Sequence, residues 1–291
     1  MDPGPDPISP PPPFEAPPPL LASTPPPPPA QRMVRVRPAD PWAHRRGEPR
    51  LFAFLWTVYL LIAVGGSLIW LSRSTVISTS TYGPAARIML IVVAAGATLL
   101  WPMVRLSQAS PRGSGLRAAL ADVVVVLFPM QMILWPLVML AQWPFGIVAA
   151  LAAMTTLWVL LIGGIIALAL AGPIVRNPTD RGVGERAFWM FICIVLVAAA
   201  PSFVLLRRAS SQTLPDPPEW VPMLSPFTAI PALTGNGFSG PQRPVSTPQL
   251  RGIMAIAVPT AAIWALAVVR RRTVRPAPAP RGGVALESGL D

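Results

Sequence analysis

Residues 118–172 read AALADVVVVLFPMQMILWPLVMLAQWPFGIVAALAAMTTLWVLLIGGIIALALAG. This stretch carries a single charged side chain, Asp122. A transmembrane helix needs only about 20 apolar residues, so the stretch is too long for one crossing. The sequence Gln142–Trp143–Pro144 is the place at which it can turn. We therefore expect a tight hairpin of two spans, 118–141 and 145–172.

Four further apolar stretches are each long enough to cross a bilayer. They cover residues 51–71, 86–104, 187–206 and 253–269. The chain is 53% apolar and 12% charged, whereas ordinary globular chains contain about 25% charged residues. The sequence thus predicts an all-α integral membrane protein with six transmembrane helices within residues 41–272. Its expected environment is the lipid bilayer of the cell membrane.

The N-terminal region is dominated by proline, with 16 prolines in residues 1–40. Proline lacks the amide donor and fixes φ, so neither helix nor sheet is expected there. We predict a disordered cytoplasmic tail over residues 1–40 and a second Pro/Arg tail over residues 273–291. A proline-rich tail also suggests an alternative role for the chain, as a multi-pass scaffold or anchor that binds a partner through this tail.

The basic residues indicate how the chain is oriented. All 23 are arginine, and six alternating spans place 17 of them on the side of the two termini and 6 on the other side. Positively charged connectors stay in the cytoplasm, so both ends are predicted to be inside. Arg207 and Arg208, directly after the fifth span, oppose this assignment. Because the net charge of +11 follows membrane topology, no nucleic-acid partner is expected.

The reactive side chains are too few for enzyme chemistry. The chain contains no lysine, which excludes a P-loop ATPase site, and its only histidine, His44, precedes the first span. Asp122 is the only acidic residue inside a span, so paired membrane carboxylates are missing. We predict no catalytic residue, no metal site and no cofactor, and hence no enzyme.

Two polar residues of the third span are candidate functional residues. Asp122 lies near the start of the span, where we expect it to meet Arg105 or Arg117; the alternative is a role in substrate or subunit contact. Gln131 lies in the middle of the span, and such an amide is expected to bind a neighbouring helix.

The predicted outer loop, residues 207–251, contains an unusual apolar segment. Residues 219–230 read EWVPMLSPFTAI, which is too apolar for a solvated loop and too short and proline-rich to span. Such a segment is expected to lie in the membrane interface, or to dip into the membrane shielded by protein. Its candidate functional residues are Trp220, Ser225, Pro226 and Phe227.

This arrangement resembles the permease subunits of ABC-2 type transporters. Those proteins have six spans with both ends cytoplasmic, a tight outer hairpin between spans three and four, and a re-entrant or interfacial element between spans five and six. Ser225–Pro226–Phe227 matches the NPF- or SPF-like sequence ahead of their last span, and Arg270–Arg272 matches the basic cluster after it. The resemblance covers roughly residues 45–275 and is mainly topological.

The resemblance implies a dimerising transport subunit that works with a separate ABC ATPase. Residues 107–117 would contact the ATPase, and residues 220–233 would gate the outer side. The chain departs from the family in two places. Residues 40–50 contain prolines and glycine where the family has an amphipathic elbow helix, and the loop at 105–117 is short for a coupling helix.

Overall fold

The computed structural model describes residues 49–72, 79–108, 115–171, 183–210, 218–235 and 244–273. The two predicted tails, apart from Thr273, and residues 109–114 of the predicted ATPase-contact loop lie outside these ranges. All regular secondary structure within them is helical. The helices are α1 (Pro49–Ser72), α2 (Thr79–Ala95), a π-helical turn (Gly96–Leu100), α3 (Trp101–Ser107), α4 (Gly115–Leu134), α5 (Leu137–Leu140), α6 (Phe145–Leu170), α7 (Val183–Ser210), a 3-10 turn (Val221–Leu224), α8 (Pro226–Thr234), α9 (Thr247–Ala255) and α10 (Ala257–Thr273).

Six stretches of these helices are long and apolar enough to cross a membrane, which confirms the predicted number. We number them spans one to six in chain order. They are Leu51–Ile69, Tyr82–Ser107, Gly115–Leu140, Phe145–Leu170, Gly184–Arg207 and Thr247–Thr273.

Span four forms the centre of the bundle. It is apolar on all sides, as expected of a helix without a solvent-facing side, and spans three, five and six all pack against it. Within span four, Gly163 is buried and Ala167 is fully buried. Spans one and five are largely exposed, which places them at the periphery of the bundle.

Spans three and four form the hairpin that the sequence indicates. The turn uses Gln142, whose φ of 54° is the only positive value at a non-glycine residue in the described ranges. Trp143 is buried beside it, and Pro144 precedes the first residue of α6. Pro136 interrupts span three between α4 and α5, because a proline has no amide hydrogen to continue the helix.

Span two begins earlier than predicted. The predicted start was residue 86, but α2 starts at Thr79 and includes Pro84. A proline this close to the helix start removes only one intrahelical hydrogen bond, so the helix can form around it.

The π-helical turn of span two is built around close packing with span one. The amide of Trp101 bonds to the carbonyl of Gly96, five residues earlier. A Cβ on Gly96 would collide with the ring of Tyr59, which stacks on Trp56 at 5.5 Å. The hydroxyl of Tyr59 donates to the carbonyl of Val92 at 2.6 Å. Such π-helical turns are rare and recur at functional sites.

Span six starts earlier than predicted and is interrupted. Ser246 and Gln249 form a reciprocal capping box that begins α9 six residues before the expected start at Ile253. The helix breaks at Ile256 and resumes as α10, in which Pro259 lacks the amide donor for the carbonyl of Ala255.

The residues between spans five and six fold back against the bundle. We call residues 218–235, which contain the 3-10 turn and α8, the inserted segment. It packs against spans two, four, five and six, and its buried side chains include Met223, Ala229 and Ile230. The apolar sequence predicted to be shielded by protein is thus buried in the bundle.

Candidate functional site

Ser225 binds the inserted segment to span five. Its hydroxyl is fully buried and donates to the carbonyl of Val197 at 3.0 Å. Pro201, four residues after Val197, has no amide hydrogen, so that carbonyl lacks its helical partner. The Ser225 side chain therefore occupies the position left by a proline within span five. Val197 lies ten residues before Arg207, about 15 Å along a helix, so the segment reaches well below the end of the span.

Pro226 and Phe227 begin the short helix of the inserted segment. Ser225 has extended dihedrals (φ −143°, ψ 141°), and Pro226 occupies the first helical position, where its missing amide costs nothing. Pro226 is buried and Phe227 is half-buried. The hydroxyl of Thr228 donates to the carbonyl of Pro222 at 2.6 Å, which joins this helix to the 3-10 turn before it.

Arg87 binds the other end of that helix to span two. Its Nη2 donates to the carbonyl of Thr234, the last residue of α8. Carbonyls in the last turn of a helix have no intrahelical partner, and a cation there also interacts favourably with the helix dipole. A guanidinium inside a span thus finds its partner within the protein.

Span six is held to the inserted segment by a polar and a packing contact. The hydroxyl of Ser246, which caps α9, donates to Oε2 of Glu219 at 2.6 Å. Gly252 lies against the segment so closely that a Cβ would stand 2.8 Å from the carbonyl oxygen of Trp220 and 2.9 Å from the Cβ of Met223. Glycine is required here because any side chain would separate the two.

At the opposite end of the bundle, Asp122 forms a buried ion pair. Its Oδ2 lies 2.7 Å from Nε of Arg105, and the two side chains are 0% and 2% exposed. Arg105 also donates through Nη1 to Oε1 of Gln108 at 3.2 Å. Of the two arginines expected to meet Asp122, Arg105 forms this pair and Arg117 is exposed. The pair joins the end of span two to the start of span three.

Gln131 connects spans three and four in the middle of the hairpin. Its Nε2 donates to Oγ1 of Thr156 at 3.0 Å and lies 3.4 Å from the carbonyl oxygen of Ala152. This is the contact to a neighbouring helix that the sequence predicted for a mid-span amide.

Span six is held to span four by tryptophan and arginine. The indole Nε1 of Trp264 donates to the carbonyl of Leu160 at 2.8 Å, and Gly164 leaves room for that ring. Near the end of both helices, Nη1 of Arg270 lies 3.4 Å from the carbonyl oxygen of Leu168. That carbonyl is in the last turn of span four, where it also accepts from the amide of Ala171 at 3.3 Å.

The candidate residues fall into two separate groups. Trp220, Ser225, Pro226 and Phe227 lie together in the inserted segment, where Trp220 is 45% exposed. Asp122 and Gln131 lie along span three, and their partners lie in spans two and four respectively. No described contact joins the two groups.

Sequence reasoning missed Arg87 as a functional residue. The only signal was an arginine within an apolar stretch, and its partner Thr234 is 147 residues away along the chain. Sequence reasoning also missed the residues that line an apolar cavity between spans four, five and six.

Nothing in the described ranges suggests a metal centre. No three His, Cys, Asp or Glu side chains come together there in a way that could hold an ion. The polar contacts of the bundle join helices to each other, and their chemistry is that of structural anchoring.

Comparison with known proteins gives no relative for this chain. No protein-family model, curated protein or solved structure matches it.

Proposed function

We propose that this chain is the membrane subunit of an ABC-2 type transporter, working with a separate ATPase and crossing the cell membrane six times with both ends in the cytoplasm. The observation that carries the proposal is the inserted segment between spans five and six. This segment is apolar, packs within the bundle, and follows a tight hairpin between spans three and four. The same order of features characterises the permeases that the sequence resembles.

The anchoring of the inserted segment suits a gate. Arg87 binds it to span two, Ser225 to span five and Glu219 to span six. Because three spans bind one segment, a relative movement of these spans must strain or break at least one contact. A transporter that alternates between two arrangements of its helices needs such a coupled element at its outer end.

The opposite end of the bundle suits contact with an ATPase. The Arg105–Asp122 pair joins spans two and three immediately before and after the loop to which the resemblance assigns that contact. A force on this loop would act on both helices through the pair. The arginines of this end, including Arg270–Arg272, also support a cytoplasmic assignment.

Co-purification tests the proposal directly. The full chain, tagged and extracted from its native membrane in mild detergent, should bring down a lysine-bearing P-loop ATPase, identified by mass spectrometry. The complex should hydrolyse ATP. Recovery without an ATPase and without ATP hydrolysis would count against transport. If deletion of residues 1–40 then abolished recovery of some other partner, the chain would be a scaffold acting through its tail.

Cysteine labelling tests the gate. Cys193 is buried and is the only cysteine of the chain, so Cys193→Ala gives a cysteine-free background. Pro231→Cys then places a thiol on the exposed side of α8. A membrane-impermeant maleimide should label it from outside intact cells, at a rate that changes when ATP is depleted. A constant rate would contradict a gate in the inserted segment, and labelling only after lysis would reverse the orientation.

A further inference from the structure

An apolar cavity of about 440 Å³ lies between spans four, five and six, beneath the inserted segment. Spans five and six both pack on span four, and the cavity fills the space between them. Its walls come from these three spans and from the inserted segment. The residues that line it are Trp158, Leu161, Leu196, Ala199, Ala200, Phe203, Trp220, Val221, Leu224, Ala255, Ile256 and Pro259.

The cavity has a buried floor and an exposed mouth. Trp158 and Leu161 of span four are 2% and 3% exposed and form the floor. Around the mouth, Phe203 of span five is 49% exposed, and Ala255 of span six is also exposed. Since spans five and six are largely unburied over their length, this mouth opens sideways from the bundle.

Two prolines shape the cavity. Pro259 lines it directly and accompanies the interruption of span six at Ile256, which also lines it. On the other wall, Pro201 lies within the lining stretch of span five and leaves the Val197 carbonyl to Ser225. The Ser225–Val197 contact therefore joins two walls of the cavity, the inserted segment and span five.

The chemistry of the walls selects the occupant. Small-molecule sites have volumes of about 300–1,000 Å³, and this cavity falls within that range. A buried water needs about two to four polar partners, whereas the side chains that line this cavity are apolar apart from the indole N–H groups of Trp158 and Trp220. A cavity with such walls takes up hydrocarbon in preference to water. For a mouth that opens sideways from a membrane-spanning bundle, the surrounding medium is lipid hydrocarbon.

We propose that this cavity binds the acyl chain of a membrane phospholipid, which enters from the bilayer between spans five and six. The acyl chain contacts Trp158 and Leu161 on one side and the inserted segment on the other. This binding needs no ATPase and stands independently of the transport proposal.

Photolabelling tests the site. The full chain is reconstituted into phosphatidylcholine vesicles containing a phosphatidylcholine with a diazirine at the end of one acyl chain, irradiated, and mapped by mass spectrometry. Label is expected on the floor residues Trp158 and Leu161, which the protein shields from bulk lipid. It should be comparable to label at Phe128, which is 64% exposed on span three.

Filling variants provide the control. Ala255→Trp fills the mouth from span six, and Ala199→Trp fills it from span five, so one variant remains informative if the other fails to fold. Either should abolish labelling of Trp158 and Leu161 and leave Phe128 labelled. Ala261→Trp is the matched control for Ala255→Trp, because Ala261 is an exposed alanine of the same span outside the cavity wall. It should change nothing.

The proposal is overturned by an unlabelled floor in the unmodified chain, which is the result if another polypeptide occupies the cavity. It is equally overturned if Ala255→Trp and Ala199→Trp both fold, as judged by size-exclusion chromatography, and leave floor labelling unchanged.

Discussion

At the scale of single residues, three polar side chains inside the bundle have a specific partner in the protein. Asp122 pairs with Arg105, Gln131 binds span four, and Arg87 binds a helix end. Lipid hydrocarbon offers no hydrogen bonds, so a charged or amide group in a span is stabilised by a partner within the protein. Losing one partner is therefore costlier than losing both.

The Arg105–Asp122 pair should show this asymmetry. Asp122→Asn or Arg105→Met should destabilise the protein by about 3–5 kcal/mol, because each leaves a buried charge without its counter-charge. The double variant Arg105→Met/Asp122→Leu should recover most of that loss. Thermal unfolding in detergent measures the effect, with Arg117→Met, an exposed arginine of span three, as the control that should leave stability unchanged. An equal loss of stability in the single and double variants would contradict the predicted asymmetry.

The Ser225 hydroxyl should matter because of Pro201. Ser225→Ala should cost about 0.6 kcal/mol, the average for hydrogen bonds between membrane helices, and no more than about 1.7 kcal/mol, the largest value measured for one. In a Pro201→Ala background the amide of residue 201 can bond to the Val197 carbonyl, so Ser225→Ala should cost less there. A double-mutant cycle on unfolding in detergent measures the difference. Strictly additive effects would show that the serine and the proline act separately.

Residue partners were only partly predictable. Asp122 lies near Arg105 and Arg117 in the sequence, so a pair with one of them could be predicted. Which of the two arginines forms the pair could not. The Arg87–Thr234 contact could not be foreseen, because it depends on how spans two and five and the inserted segment pack. Sequence proximity carries no information on a contact across 147 residues.

At the scale of helices, close packing at glycine holds spans together. A Cβ on Gly163 would collide with the side chain of Val123 in span three, and the rings of Trp101 and Trp264 lie just beyond, at 3.3 and 3.5 Å. Small residues at such positions let helices approach closely, which is a main source of helix association in lipid. Span four therefore packs against three neighbours at one point.

Gly163→Ala should destabilise the bundle although it adds only one methyl group. We expect a loss of about 1–3 kcal/mol, as for other overpacked cores. Gly65→Ala in span one is the matched control, since a Cβ there meets nothing within 4 Å. It should leave thermal stability in detergent unchanged or raise it slightly, because alanine favours helix. A Gly163→Ala variant as stable as the Gly65→Ala variant would contradict this packing.

The number of membrane-spanning helices could be predicted from the sequence, but the residues at which they start could not. Six spans follow from apolar length against bilayer thickness, and the hairpin at Gln142 follows from a stretch too long for one crossing. The starts at Thr79 and Thr247 were placed too late, because proline and polar residues near a helix start resemble a loop in sequence. The capping box of Ser246 and Gln249 was the missed signal for span six.

At the scale of the whole molecule, the two ends of the bundle differ in character. One end holds the inserted segment and its contacts, while the other holds the Arg105–Asp122 pair and Arg270. Arg87 and Arg105 lie at the two ends of span two, 18 residues apart, or about 27 Å of helix. This is close to the hydrocarbon thickness of a bilayer, about 30 Å.

Orientation is testable with terminal reporters. Fusion of a fluorescent protein that folds only in the cytoplasm should give signal at either terminus, because 17 of the 23 arginines lie on that side in the proposed topology. A reporter that is active only outside the cytoplasm should be silent at both termini and active when inserted in residues 236–243. Termini on opposite sides would contradict six crossings.

The π-helical turn at Gly96–Leu100 has a consequence for the register of span two. A helix advances by about 100° per residue, so the additional residue of this turn rotates everything after it by about that angle relative to an uninterrupted α-helix. Deleting one residue within the turn would restore regular winding, and Arg105 would then face away from Asp122. Such a deletion should lower thermal stability as much as Arg105→Met does, even though it removes no charged atom.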